Sequence, residues 1–292
     1  MTPGAVGGAA VDELDVVLSD GRVLHVYTGP EPGGPTFLTV VWHHGTPNIG
    51  APPRPLFADA RRLGMRWVSY DRPGYGGSTP HPDRDVASAA ADVSRVADAL
   101  GIDDFAVMGH SGGGAHALAC AALLVDRVRA AISVAGLAPY DAVGLDWYAG
   151  MAPAGVASLR AAAGGRAAKE RYEASPADGD IGLTPADEAA LGGRWSWLID
   201  VVRPAVQAGP GGLIEDDLAA VSPWGFDPAG TVAPILVLHG AKDRVVPSSH
   251  GEWLAQRCPT AELRLSAGDG HISILDSAVA ALEWLRERVD GG

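Results

Sequence analysis

Three side chains far apart in the chain have the types needed to break an acyl bond: a serine among glycines at 111, a carboxylate at 243 and a histidine at 271. From Phe105 to Ala115 an apolar run collapses into glycines around a single hydroxyl. It reads as a strand entering a tight turn and then a helix. Gly109-His110-Ser111-Gly112-Gly113 fits the pattern G-x-S-x-G, in which small residues two before and two after the serine let strand and helix approach while the serine sits in a strained turn. Strain of that kind aims the hydroxyl outward. The Gly112 N–H opens the helix and can donate to an oxyanion, with the positive end of the helix behind it. Such a turn can equally be tight packing or a phosphate loop. No Gly-Lys-Ser/Thr follows, and the acidic residue of a dinucleotide fingerprint is out of register, so the phosphate reading is poor.

A nucleophilic serine needs a base and an acid. The apolar run Ile235 to His239 ends in a loop, 240–247, that is tightened by Gly240 and Pro247 and carries Asp243. A carboxylate just past a strand's carboxyl end is placed like a triad acid. The next strand, Ala261 to Leu265, runs into Ser266-Ala-Gly-Asp-Gly-His271, whose glycines let the loop carry His271 across the sheet edge. Asp269 is a second candidate acid, but side chains two residues apart in a tight loop rarely face each other. Asp243 could also cap a turn, paired with Lys242 or Arg244. His25, His81, His116, His239 and His250 read as surface or satisfied core groups, whereas His44 and His110 flank the site and shape the turns that carry it.

The rest of the chain must position these groups. Leu14 to Leu18 and Arg22 to Tyr27, joined through Ser19-Asp20-Gly21, read as a hairpin. A plain loop, 29–35, leads to the buried strand Phe37 to Trp42 and then to His43-His44-Gly45-Thr46-Pro47, where glycine and an X-Pro step turn the backbone and free the Thr46 N–H. A short helix at 54–63, a strand at 66–70 and a Gly-rich loop at 71–78 follow; the loop reads as a structural corner. A helix at 86–100, closed by Gly101, precedes the Ser111 strand, and the helix behind Ser111 is apolar nearly all round. After the strand at 129–135, the alternation implies a parallel, doubly wound sheet with Ser111 at the carboxyl edge of a central strand. Nearly a hundred residues then intervene before the next strand, although a parallel crossover needs about a dozen. That excess reads as a helical cap.

The expected organisation is therefore a core at 1–135 with residues 1–12 flexible, a cap at 136–232, and the rest of the core at 233–292. Within the cap, 154–174 reads as helical, with Gly164-Gly165 able to split it. Thr184-Pro185-Ala186-Asp187 starts a helix that carries Trp195, Leu198, Ile199 and Val202 on one face until Pro204 kinks or ends it. A third helix spans 213–221. Trp147, Tyr148, Trp195 and Trp224 either form the cap's own core or line an apolar substrate cavity above Ser111.

Composition narrows the alternatives. A 292-residue chain that is 47% hydrophobic can bury a large core. Its net charge of −13, with lysine only at 169 and 242, leaves no basic run for a nucleic-acid backbone. Cys120 and Cys258 have no C-x-x-C spacing and no zinc-like histidine pattern, so both read as reduced thiols, with no metal. Met1 to Ala10 lacks the charged and apolar regions of a secretory signal, and no apolar stretch reaches the ~20 residues of a membrane span. The expectation is a soluble cytoplasmic protein whose partner is a small-molecule substrate; its oligomeric state is left open.

With the elbow, the His-Gly-x-Pro turn at 44–47, the Asp243 loop and the His271 loop in this order, the chain resembles the α/β-hydrolase superfamily from about Leu14 to Val289. The resemblance implies an α/β fold with a mostly parallel twisted sheet of about eight strands, helices on both faces and an inserted helical cap. It implies Ser111 as nucleophile, His271 as base, Asp243 as its orienter, and the N–H groups of Thr46 and Gly112 as oxyanion hole, with His44, Gly45, Gly109, His110 and Gly113 shaping the site. The capped branch holds esterases, proline iminopeptidase-like peptidases, carbon–carbon bond hydrolases, epoxide hydrolases and dehalogenases; the last two use an aspartate nucleophile, which Ser111 argues against. The expected activity is hydrolysis of a small to medium apolar carboxylic ester through an acyl-enzyme, without a cofactor. The alternatives are a carbon–carbon bond hydrolase, an aminopeptidase, or a sensor that keeps the triad without catalysis. Because the base acts when neutral, activity should rise through neutral pH as the histidine loses its proton.

Overall fold

A computed structural model of the chain describes residues 11–33, 37–175 and 179–291. The flexibility expected of residues 1–10 and the end of the loop at 29–35 lie outside the described residues, while Asp12 already belongs to the first strand. Eight strands form one sheet: β1 (Asp12–Val17), β2 (Val23–Thr28), β3 (Leu38–His43), β4 (Met65–Tyr70), β5 (Phe105–His110), β6 (Val128–Val134), β7 (Ile235–Gly240) and β8 (Ala261–Ser266). Their spatial order is β1-β2-β4-β3-β5-β6-β7-β8. β2 runs antiparallel to both of its neighbours, and all other pairs are parallel.

The pleat sorts alternate residues to opposite faces. Phe105 and Val107 of β5 pack on one side with Val41 and Val237, under α2 (Ser88–Ala99), α3 (Gly112–Leu123) and α9 (Ser248–Arg257). Ala106 and Met108 face the other side with Trp42, Trp67 and Leu236, under α1 (Phe57–Arg62) and α10 (Ala278–Asp290). Every residue of β3, β5 and β7 is buried, as parallel strands covered on both faces require. The edge strands β1 and β8 are partly exposed.

Between β6 and β7 lie α4 (Pro153–Ala163), α5 (Arg166–Ala174), α6 (Pro185–Leu191), α7 (Trp197–Gln207) and α8 (Gly211–Ala220). Gly164-Gly165 does split the first cap helix in two. The single helix expected from Thr184 to Pro204 is also two: α6 stops at Gly192-Gly193, a short 3-10 turn holds Trp195, and α7 starts afresh. Paired glycines lose the most backbone freedom in a helix, which makes them the natural break. Pro204 lies inside α7 rather than ending it, with its ring on the exposed side near the last turn. No helix among the described residues is long and apolar enough to cross a membrane.

Candidate active site

Ser111 occupies the corner between β5 and α3 with φ 56° and ψ −128°, a left-handed conformation that is strained for a side chain other than glycine. The strain is held by pairing on both sides: the Ser111 N–H donates to the Val134 carbonyl at 2.9 Å, and the Gly114 N–H donates to the Ser111 carbonyl at 2.9 Å. A Cβ at Gly109 would collide with the Gly113 carbonyl, and one at Gly113 with the His43 carbonyl, so the elbow closes only because both lack one.

Opposite the elbow runs the turn after β3. A Cβ placed on Gly112 would lie 2.7 Å from Thr46 Oγ1 and 4.0 Å from the Thr46 nitrogen, so the two residues that carry the candidate oxyanion donors lie side by side. The Gly45 carbonyl is fixed by two donors, His44 Nδ1–H at 2.8 Å and Arg72 Nη2–H at 3.1 Å. In a trans peptide the carbonyl and the following N–H point in opposite directions, so anchoring the Gly45 oxygen sets the direction of the Thr46 N–H. His44 Nε2 accepts from the Arg72 backbone N–H at 3.0 Å, which puts the ring proton on Nδ1. Burial, and then the Arg72 charge, hold His44 well below the ordinary histidine range, in keeping with that neutral tautomer.

Arg72 belongs to the Gly-rich loop that reads from sequence as a corner only. Its guanidinium also donates to the His44 carbonyl and, at 3.2 Å, to Thr46 Oγ1. Its counter-charge is Asp216 on α8, which takes Arg72 Nε at 3.1 Å and Nη2 at 2.5 Å, Tyr75 Oη at 2.9 Å, Thr46 Oγ1 at 2.5 Å, and Arg84. Burial alone would raise the Asp216 pKa; Arg72 and then Arg84 hold it well below the usual carboxylate range.

Past β7, Asp243 Oδ1 accepts the Val245 and Val246 N–H groups at 2.8 and 2.9 Å, and its Oδ2 lies 2.7 Å from His271 Nδ1. Burial would raise this carboxyl, but the His271 charge and contacts from His239 and His271 hold it well below the usual range. Asp269 is turned away, bonded to the Ser266 hydroxyl. His110 Nε2–H donates to the His271 carbonyl at 2.9 Å, and the two rings lie 4.9 Å apart. His110 is pushed down to about 3 by burial and then by His271, so it supports the loop as a neutral ring.

The His271 loop has a second anchor, which sequence reasoning read only as a helix cap. Asp187 closes a capping box with Thr184, and its Oδ1 accepts the N–H groups of Ile272 and Ser273 at 2.8 and 2.9 Å. A capping-box acid is legible in sequence; its reach across 85 residues to Ile272 is not.

Ser111 and His271 meet as walls of one cavity of about 820 Å³, rather than through a hydrogen bond, and Thr46 lines it too. The other walls are mostly aliphatic, chiefly Leu183, Leu191, Leu198, Ile199 and Val202, with Asn48, Tyr172, Glu173, Arg203 and Gln207 among them. Trp147, Tyr148 and Trp195 do not line it. Trp147 Nε1 donates to the Ala138 carbonyl, with Tyr140 and Tyr148 packed against its ring, and Trp195 Nε1 donates to Asp276. These large rings serve the seam between cap and sheet. Trp224 lines a separate, smaller cavity that also touches Ser111. His250 is a satisfied core group, bonded to the backbone at Trp147 and Ala138, whereas His239 bonds the Val246 carbonyl through Nε2 and leaves its buried Nδ1 without a partner.

The sequence profile of the alpha/beta hydrolase fold family matches residues 39–278. The chain belongs to this family. It is 30% identical, over 77% of its length, to the dihydrolipoyllysine-residue acetyltransferase component of the acetoin cleaving system of Cupriavidus necator, and spans 56% of that protein. It is 26% identical to the protein named "Putative carbamate hydrolase RutD" of Caulobacter sp., over 86% of this chain and 89% of that one. Among solved structures, a thermophilic esterase of Thermogutta terrifontis aligns with a TM-score of 0.67 at 22% identity, covering 95% of this chain and 99% of its own; likeness at that identity speaks for the fold. Within an α/β-hydrolase, the carboxyl edge of the sheet is where the chemistry is built, and the elbow, the Thr46 turn, Asp243 and His271 all lie there.

Proposed function

We propose that the protein is a serine hydrolase of small to medium apolar carboxylic esters or related acyl compounds. The observation that carries this reading is the Asp243–His271 hydrogen bond of 2.7 Å, whose histidine opens on the cavity that holds the strained Ser111. Asp243 occupies Nδ1, which leaves Nε2 to take the Ser111 proton as Oγ attacks the acyl carbon. The negative oxygen of the tetrahedral intermediate is met by the Thr46 and Gly112 N–H groups. His271 then protonates the leaving group, the acyl-enzyme forms, and a water activated by the same ring releases the acid and returns the proton to Ser111. Asp243, kept ionised, stabilises the imidazolium in between. The mostly aliphatic cavity walls support an apolar substrate.

A fluorophosphonate probe should label the wild-type chain and fail to label Ser111→Ala, and p-nitrophenyl acetate turnover should vanish in the same variant. Labelling that survives the substitution would remove Ser111 from the nucleophile's role.

A further inference from the structure

Two cavities meet at Ser111, and they are unlike. The larger, about 820 Å³, is walled by His271 and Ile272 and opens to solvent past Ile199 and Val206, which are 45% and 59% exposed. The smaller, about 190 Å³, is walled by Gly112 and by Val86, Leu137, Leu159 and Trp224. Thr46, Gly155, Ser158, Leu213 and Val245 belong to both and form the partition. The carboxylates at the small cavity's edge are occupied: Asp216 by Arg72 and Arg84, Asp217 by Lys169 and Ser158. What the small cavity offers a ligand is therefore mainly apolar.

The chemistry orients a substrate between them. The histidine that protonates the leaving group must lie beside it. His271 walls the large cavity and not the small one. Resting on the serine-hydrolase reading above, we propose that the protein is selective for esters of short acids with long apolar alcohols, the acyl group filling the small cavity and the alkoxy group the large one. Attack forms the Oγ–acyl bond and breaks the acyl–alkoxy bond; the Ser111 proton passes through His271 to the departing alcohol. Water then breaks the Oγ–acyl bond and supplies the hydroxyl of the acid, its other proton returning through His271 to Oγ. At ~30 Å³ for a water-sized group, the small cavity has room for roughly six heavy atoms. The open mouth of the large one sets no such limit.

Two substrate series on the purified chain test this. Along p-nitrophenyl esters from acetyl to decanoyl, kcat/KM should fall by about tenfold or more between butyryl and octanoyl, the scale on which a pocket rejects carbons it cannot hold. Along acetate esters from ethyl to octyl, it should hold level or rise. Leu159→Ala should move the acyl cut-off to longer chains, and Ala220→Leu, on another wall of the small cavity, should lower the butyryl-to-acetyl ratio; a ratio is independent of how much of each variant folds. Octanoyl and butyryl esters cleaved alike, or octyl acetate cleaved worse than ethyl acetate, would overturn the assignment while leaving the hydrolase reading intact. No turnover in either series, with no Ser111-dependent labelling, would remove both.

Discussion

Asp216→Asn isolates the carboxylate that ties Arg72, Arg84, Tyr75 and Thr46 together. It is buried with Arg72 and Arg84, whose side chains are each 2% exposed, and it accepts from both guanidiniums, from Tyr75 and from Thr46. Asparagine keeps the volume and removes the charge, stranding two buried cations. Removing one partner of a buried pair costs about 3–5 kcal/mol, because the remaining charge stays uncompensated. With an unfolding entropy of ~2.1 cal/mol/K per residue, a chain of this length has about 0.6 kcal/mol/K, so the melting temperature should drop by about 5–8 °C. Calorimetry on wild type and variant in the same buffer reads this directly. The catalytic effect should run the same way. Thr46 loses its carboxylate acceptor and Arg72 its anchor, so kcat should fall by a fraction of the ~10²–10³ that loss of a whole oxyanion donor costs. A variant that melts within about 1 °C of wild type would show that Asp216 does not carry the counter-charge for Arg72 and Arg84.

Two further outcomes follow from the site and the core. Asp243→Asn should lower kcat by roughly 10⁴ by analogy with other serine triads, whereas Asp269→Asn should change it only a few-fold; the reverse pattern in a steady-state ester assay would move the acid to Asp269. The protein should also be acid-labile: burial pushes His43 down to about 3, His250 to about 4, and His44, His110 and His116 likewise far down. The unfolded chain takes up these protons near pH ~6.5 while the folded chain does not, so stability is full above that pH and is lost as pH falls towards ~4, at about 1.4 kcal/mol per unit for each histidine. Urea midpoints at pH 7.5 and 5.5 should differ clearly, and equal midpoints would mean that these rings are protonated in the native state.

The strands and the three loops that carry Ser111, Asp243 and His271 are legible because each is a local signal: an apolar run, then glycine, then a polar side chain. The sheet order is not local, and neither are the cap's contacts. Glu215-Asp216-Asp217 falls in the helix expected at 213–221, where nothing local marks a partner, yet each acid meets a different cation, Arg166, the Arg72–Arg84 pair and Lys169. Those partners lie from 48 to 144 residues away in sequence or on another helix, beyond any periodicity. Aromatic content misleads in the other direction. Trp147 and Trp195 bury large areas and satisfy their N–H groups in the seam beneath the cap, while smaller Leu, Ile and Val side chains line most of the larger cavity at Ser111, where no single residue type marks them.

The two cap carboxylates change what the insert does. Asp187 holds the backbone next to His271, and Asp216 holds Thr46 and the arginine that fixes the Gly45 carbonyl. One cap acid thus steadies the loop of His271 and the other the loop of Thr46. Lifting α8 from the core would expose or strand the Asp216 cluster, and lifting α6 would free the Ile272 and Ser273 N–H groups, each a buried penalty of about 1–3 kcal/mol or more. A cap tied down at both loops is a poor lid. On the proposed orientation an ester would enter acyl end first through the standing mouth beside Ile199 and Val206, leaving its alcohol end against the apolar side chains exposed there.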